Sequence, residues 1–310
     1  MSWAQTAVAT LVVLMVWAHA ADGKQGYNLW AKERIKNLID RTKREPDNAH
    51  LHVMISKAYF EDGELRKAEA HLRLALEMEP DYTEAHCNLA VMLHAQRRLS
   101  GALHHYEAAL AADSTMGAAM AGLGTLLCST NRQSQGIDYL EQVLALAPSR
   151  LKARFNLAVA YHQVDDFAKS IAHLLVLLSE QPGYPGGRNA LAQAHFSRGL
   201  ILLNAEQPVK ALEFFSKALE GKEDDDFHFA TGIAYLRIGD MDAAERAFSS
   251  AVELNQEHVP ALHNLATVYE LTQRAEKAWY YYDRVRALAP HLDTIEAVRS
   301  ATYDEAYLME

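Results

Sequence analysis

The 310-residue chain has only two cysteines, Cys87 and Cys128. That is too few for a fold held by disulfides, and their spacing matches no zinc or redox motif. Both read as buried or half-buried thiols. Basic residues are outnumbered: 30 Lys and Arg against 40 Asp and Glu give a formal charge of -10. Nonspecific nucleic-acid binding needs clustered cations, so the balance excludes it. Glycine (15) and proline (8) are modest, which excludes collagen-like and low-complexity chains. No G-x-S-x-G, H-E-x-x-H, C-x-x-C or phosphate-binding glycine loop occurs. The sequence therefore offers no catalytic residue, no cofactor site and no metal site. Half of the residues are hydrophobic, enough for a long core.

Charge is also missing from residues 2–21, SWAQTAVATLVVLMVWAHAA. The apolar centre runs from Ala7 to Trp17, and Ala18-His19-Ala20 has the small-x-small form of a signal-peptide cleavage site. Residues 1–20 are read as a signal peptide. The alternative is an uncleaved single-pass anchor, since about 20 apolar residues just span a bilayer. No Lys or Arg precedes the run, whereas Lys24, Lys32, Arg34 and Lys36 follow it. If the segment stays as an anchor, that bias keeps the following chain in the cytosol. The expected location is exported, periplasmic or secretory, with membrane anchoring as the alternative. Membrane contact is expected only through this segment.

What is present is a period. Segments opening at Ala49, Thr83, Gly117 and Leu151 recur every 34 residues, and three more open at Ala192, Asp225 and Val259. Each reads as two helices joined by a short turn. A large-then-small pair recurs in the first helix: Ile55-Ser56, Leu89-Ala90, Leu123-Gly124, Leu157-Ala158, Leu265-Ala266. The second helix opens with a small residue, Ala68, Ala102, Gly136, Ser170, Ala211, Ala244 and Ala278. Four residues later comes a bulky one: Leu72, Tyr106, Leu140, Leu174, Phe215, Phe248, Tyr282. Residues three and four apart share a helix face, so small opposite bulky lets two helices approach. Pro80, Pro148, Pro182 and Pro290 close units, where a lost backbone donor costs nothing. No unit buries its apolar face alone, so the units must stack.

These columns resemble the tetratricopeptide repeat family, whose pattern is W-x2-L-G-x2-Y, then A-x3-F, then P. The resemblance covers residues 49–292. The first column departs from it, with His52, His86, Met120, Arg154, His195, His228 and Leu262 in place of tryptophan. The fold implied is all-α, a right-handed superhelical solenoid of antiparallel helix pairs. Units 1–4 occupy 49–182, an insertion 183–191, and units 5–7 192–292. The insertion, seven residues beyond a unit, falls in Gln181-Pro-Gly-Tyr-Pro-Gly-Gly-Arg188 and makes either a loop or a longer first helix of unit five. Residues 27–44 read as an amphipathic N-terminal cap, through Leu29, Ile35, Leu38 and Ile39, and 293–310 as a C-terminal capping helix or tail.

By the resemblance, the first helices line a groove. The residues facing it are then Asn88, Phe155, Asn156, Val159, Phe196, Leu200, Leu203, Phe229, Ile233, Leu236 and Asn264. Its middle is apolar, which suits a peptide with hydrophobic anchors. The alternative for these apolar residues is packing on an insert, the terminal helix or another subunit. The Lys–Asn set with which some family members clamp a terminal carboxylate is absent, which disfavours a chaperone-tail adaptor. His52, His86, His195 and His228 read as half-buried structural histidines, His104-His105 as a solvated helix face, and Asp224-Asp225-Asp226 as an inter-repeat loop. The function expected is a non-enzymatic scaffold that binds a protein or peptide partner in complex assembly. The alternative is a permanently bound accessory subunit of an enzyme or envelope complex. Self-association into a homo-oligomer stays open. Envelope assembly, secretion, pilus or cytochrome biogenesis and exopolysaccharide export are the processes the resemblance suggests.

Overall fold

The computed structural model describes residues 26–290. The segments read above as signal or anchor (1–20) and as C-terminal cap (293–310) lie outside the described residues. The described chain is all helical, and it divides into two compact units, the division falling between Ala160 and Tyr161.

In the first unit α1 (Gly26–Thr42) precedes three helix pairs: α2 and α3 (Ala49–Glu61, Leu65–Met78), α4 and α5 (Thr83–Ala95, Leu99–Ala112), α6 and α7 (Gly117–Ser129, Gln133–Leu146). The next helix, α8 (Leu151–Gln163), carries the boundary. The second unit continues with α9 (Phe167–Glu180) and three pairs: α10 and α11 (Gly187–Asn204, Pro208–Gly221), α12 and α13 (Asp225–Ile238, Met241–Leu254), α14 and α15 (Val259–Leu271, Ala275–Leu288). Within each unit the second helix of a pair also packs on the first helix of the next. α10 opens at Gly187, ahead of Ala192. The residues beyond a regular repeat therefore divide between a loop at 181–186 and an extended first helix.

The small-against-bulky columns account for the pairing. Leu72, Tyr106, Leu140, Phe215 and Phe248 are fully buried, each with its small neighbour Ala68, Ala102, Gly136, Ala211 or Ala244. The approach is tight. A Cβ on Gly232 would lie 2.5 Å from the Phe248 ring, and one on Gly136 would lie 2.6 Å from the Gly124 carbonyl oxygen. A buried Leu or Phe contributes about 1.5–3 kcal/mol. Ile35 and Leu38 of α1 bury against Leu51, Ile55 and Ala58, closing the start of the stack.

The turn inside each pair needs a left-handed residue. Gly63 (φ 82°) and Gly239 (φ 83°) supply it without a Cβ penalty, while Arg97, Asn131, Asp165, Glu206 and Gln273 adopt φ of 55–63° at the same place in the other pairs. Those turns close helices by bonds such as Arg98 N to Leu93 O at 2.9 Å. Pro80, Pro148, Pro182 and Pro290 each stand two residues beyond the end of a second helix.

Candidate protein-interaction surface

The groove-facing columns behave differently in the two units. In the first unit they are open only in part: Val53 and Cys87, in the column of Phe155, are buried, while Asn88, Val91 and Phe155 are not. Asn88 on α4 is half-buried, and its buried amide nitrogen Nδ2 has no hydrogen-bond partner among the described residues. One turn on, Val91 is 44% exposed. Lys57 on α2 bridges to Glu84 on α4 at 2.5 Å, and Asn156 donates to Thr125 Oγ1 of α6 at 2.9 Å. Phe155, Asn156 and Val159 are half-buried. His94 also belongs to this surface. Burial, then Arg97 and Lys152, hold its pKa below the ordinary value, so it stays neutral near pH 7. Successive first helices of this unit thus carry the Asn88 amide, the Asn156–Thr125 pair, an exposed valine and a Lys–Glu pair.

In the second unit the apolar candidates are packed rather than open. Phe196, Leu200, Leu203, Phe229 and Ile233 all lie in one buried cluster, with Leu236 partly buried beside it. The Phe196 ring stacks on Phe227 at 4.3 Å and tilts against Phe215 at 5.7 Å. Phe229 meets Phe248 at 5.9 Å and His258 at 5.0 Å. Close backbone approach contributes here as it does at Gly124 and Gly136 of the first unit. Gly199 and Gly232 let the Phe215 and Phe248 rings lie within 2.5–2.6 Å of where a Cβ would be. The first helices therefore sink onto the second, and aromatic rings beside the core columns become core. Asn264 is 1% exposed, and its Nδ2 donates to the Pro260 carbonyl oxygen at 2.9 Å.

Other sequence readings move as well. His52, His86 and His195 are buried, and His228 is half-buried against Glu223 at 2.7 Å. His105 is not a solvated residue: its Nδ1 lies 2.9 Å from His86 Nδ1 on the facing helix. His52 and His71 meet in the same way at 3.0 Å. The sequence carries a signal for both contacts, since the His–His spacing of 19 recurs in two consecutive units and joins a first helix to a second. Asp224, read as loop, is the N-cap of α12, accepting from Asp226 N at 3.2 Å, with Asp225 and Asp226 in the first turn. Carboxylates are favourable there because the helix dipole is positive at its start.

Asp225, Asp226 and His258 are the one trio among the described residues whose ligand atoms converge. His258 Nδ1 accepts from Ala261 N at 3.1 Å, so its Nε2 carries the proton and donates to Asp226 Oδ1 at 3.3 Å. That hydrogen bond holds the Asp226 carboxyl below the usual range. With its second nitrogen protonated, the ring is a helix cap rather than a free ligand. Cys87 and Cys128 are free and buried, and burial pushes both thiols up to about 11, far from a reactive thiolate.

Stacked helix pairs of this kind, with small-bulky columns and a left-handed turn in each, define a repeat protein built for protein contacts. The tetratricopeptide repeat family model matches residues 31–117, 122–185 and 229–293, more than half of the chain, and the chain belongs to that family. The stretch 186–228 between two matched segments contains the pair with the extended first helix. Among curated proteins, the human Protein O-mannosyl-transferase TMTC3 is 36% identical over 80 residues, which is 25% of this chain and only 9% of that protein. Three solved structures are similar. A tetratricopeptide repeat protein from Parabacteroides merdae has 16% identity and TM-score 0.49, covering 87% of this chain and 98% of that one. PilW, a type IV pilus biogenesis factor, has 20% identity and TM-score 0.48, covering 71% and 97%. PilF of Pseudomonas aeruginosa has 20% identity and TM-score 0.49, covering 75% and 99%. Among the described residues no helix is long and apolar enough to cross a membrane.

Proposed function

We propose that this protein is a non-enzymatic scaffold, exported or membrane-tethered, that binds a peptide or protein partner during assembly of a larger complex. The contact surface is the groove-facing side of the first unit, around Asn88, Val91, Thr125 and Asn156. The observation that carries it is the unpartnered amide of Asn88 beside the exposed Val91. The Nδ2 atom is itself buried, and a buried donor left unpaired costs free energy, so turning the Asn88 amide out toward the backbone acceptors of an extended peptide is favourable. The export part rests on the uncharged, signal-like residues 2–21.

The test is capture with the tagged full chain from its own cells, comparing wild type with Asn88→Ala combined with Val91→Asp. Companions seen with wild type should be lost from the variant at unchanged helical signal; equal recovery would refute the groove. For the export part, N-terminal sequencing of the mature chain should start near Ala21, and a start at Met1 would refute cleavage.

One observation favours the second reading, a permanently bound accessory subunit. Trp279 and Tyr280 on α15 are 67% and 60% exposed, and aromatic side chains left open side by side mark contact surfaces. A permanent subunit should precipitate when made without its partner.

A further inference from the structure

Two pairs of imidazoles join the first and second helices of consecutive repeats: His52 with His71, and His86 with His105. The pairs are copies. Each spans 19 residues, the Nδ1–Nδ1 separations are 3.0 and 2.9 Å, and the rings tilt by 35° and 36°. Packing does not demand them. In the third repeat the same two places hold Met120, buried, and Tyr139, partly buried against it.

The tautomer of His86 is fixed. Its Nε2 lies 2.8 Å from the Pro80 carbonyl oxygen, which can only accept, so Nε2 carries the proton and Nδ1 presents a bare lone pair. An imidazole whose far nitrogen donates to a backbone carbonyl is the arrangement that orients a metal ligand. His105 Nδ1 is aimed at the same point from the facing helix.

We infer that each pair is a binding site for a borderline divalent transition cation, Zn²⁺ or Cu²⁺, held between the two Nδ1 atoms. The cation takes the place of the proton that His105 now donates to His86. That proton moves to His105 Nε2, so both rings stay neutral and no net proton is released. Zn–N bonds of about 2.0–2.1 Å at a tetrahedral angle set the nitrogens about 3.3 Å apart, so each pair opens by only a few tenths of an ångström. Imidazole suits these metals, and water completes the shell, since among the described residues no third ligand atom converges on either pair. Arg73 opposes a cation near His105, but its guanidinium is held by Glu69 at 2.5 Å, which offsets the charge.

The test is calorimetric titration of ZnCl₂ into the untagged full chain, with the thermal midpoint followed in parallel. Wild type should take up one ion per pair in a saturable way and gain thermal stability. Replacing His86→Met with His105→Tyr copies the third repeat, so the helices remain packed, and should remove one ion. Adding His52→Met with His71→Tyr should remove the other. His104→Gln should change nothing. Uptake that persists in the fourfold variant, or is lost instead in Asp226→Asn, overturns the inference, as does the absence of saturable binding in wild type.

Discussion

Phe196 stacks face to face on Phe227, 4.3 Å between ring centroids, inside a cluster that also holds Phe215 and Leu203. Its column in the first unit carries Cys87 and Phe155, and the step from that column into the core is small. Phe196→Ala should therefore act on the fold. A loss of about 3–5 kcal/mol is expected, as for other buried Phe truncations. Phe229→Ala should behave alike. Urea denaturation followed by circular dichroism checks it; normal stability with lost partner binding would return both residues to the groove.

The turn inside each pair makes a second prediction. Gly239 sits at φ 83° with nothing within 4 Å of its missing Cβ. Gly239→Ala should cost about 1–2 kcal/mol through backbone strain alone. Gln273 holds the same place in the last pair at φ 59°. Gln273→Gly should relieve that strain, and after the added freedom of the unfolded chain is subtracted a gain of up to about 1 kcal/mol remains. Opposite shifts of the thermal midpoint in the two variants are the expected result.

Histidine burial sets the response to acid. His94, His162 and His195 all titrate below their ordinary value, each chiefly because burial disfavours the charged ring. The unfolded chain takes up protons near pH 6.5 while the folded chain still excludes them. Below that pH the unfolded state binds more protons, so stability falls as pH falls. The thermal midpoint at about pH 5.5 should be lower than at about pH 7.5, and His94→Gln with His195→Gln should flatten the slope.

The fold was largely legible because two periods coincide. Small-bulky spacing within helices and the 34-residue recurrence both point to stacked pairs, and the helices open at Ala49, Thr83, Gly117, Leu151, Asp225 and Val259. In the fifth pair the sequence left a loop and a longer first helix as alternatives, because glycine and proline around 181–188 do not fix where helix resumes; it resumes at Gly187. The surface was less legible. Whether Leu200 faces solvent or core depends on how closely α10 and α11 approach, and Gly199, in the small-residue column beside it, sets that distance against Phe215. The His86–His105 contact links two helices across a turn, so a comparison made down one helix column cannot find it.

The claim that the groove-facing side of the first unit holds a partner meets its most direct test in site-specific photocrosslinking. A photoreactive amino acid is placed at Val91, 44% exposed on α4, or at Leu146, 62% exposed at the end of α7. The expected result is a discrete adduct from position 91 in cells and none from position 146, although the latter is more exposed. Equal labelling from both, or none from position 91, would contradict it.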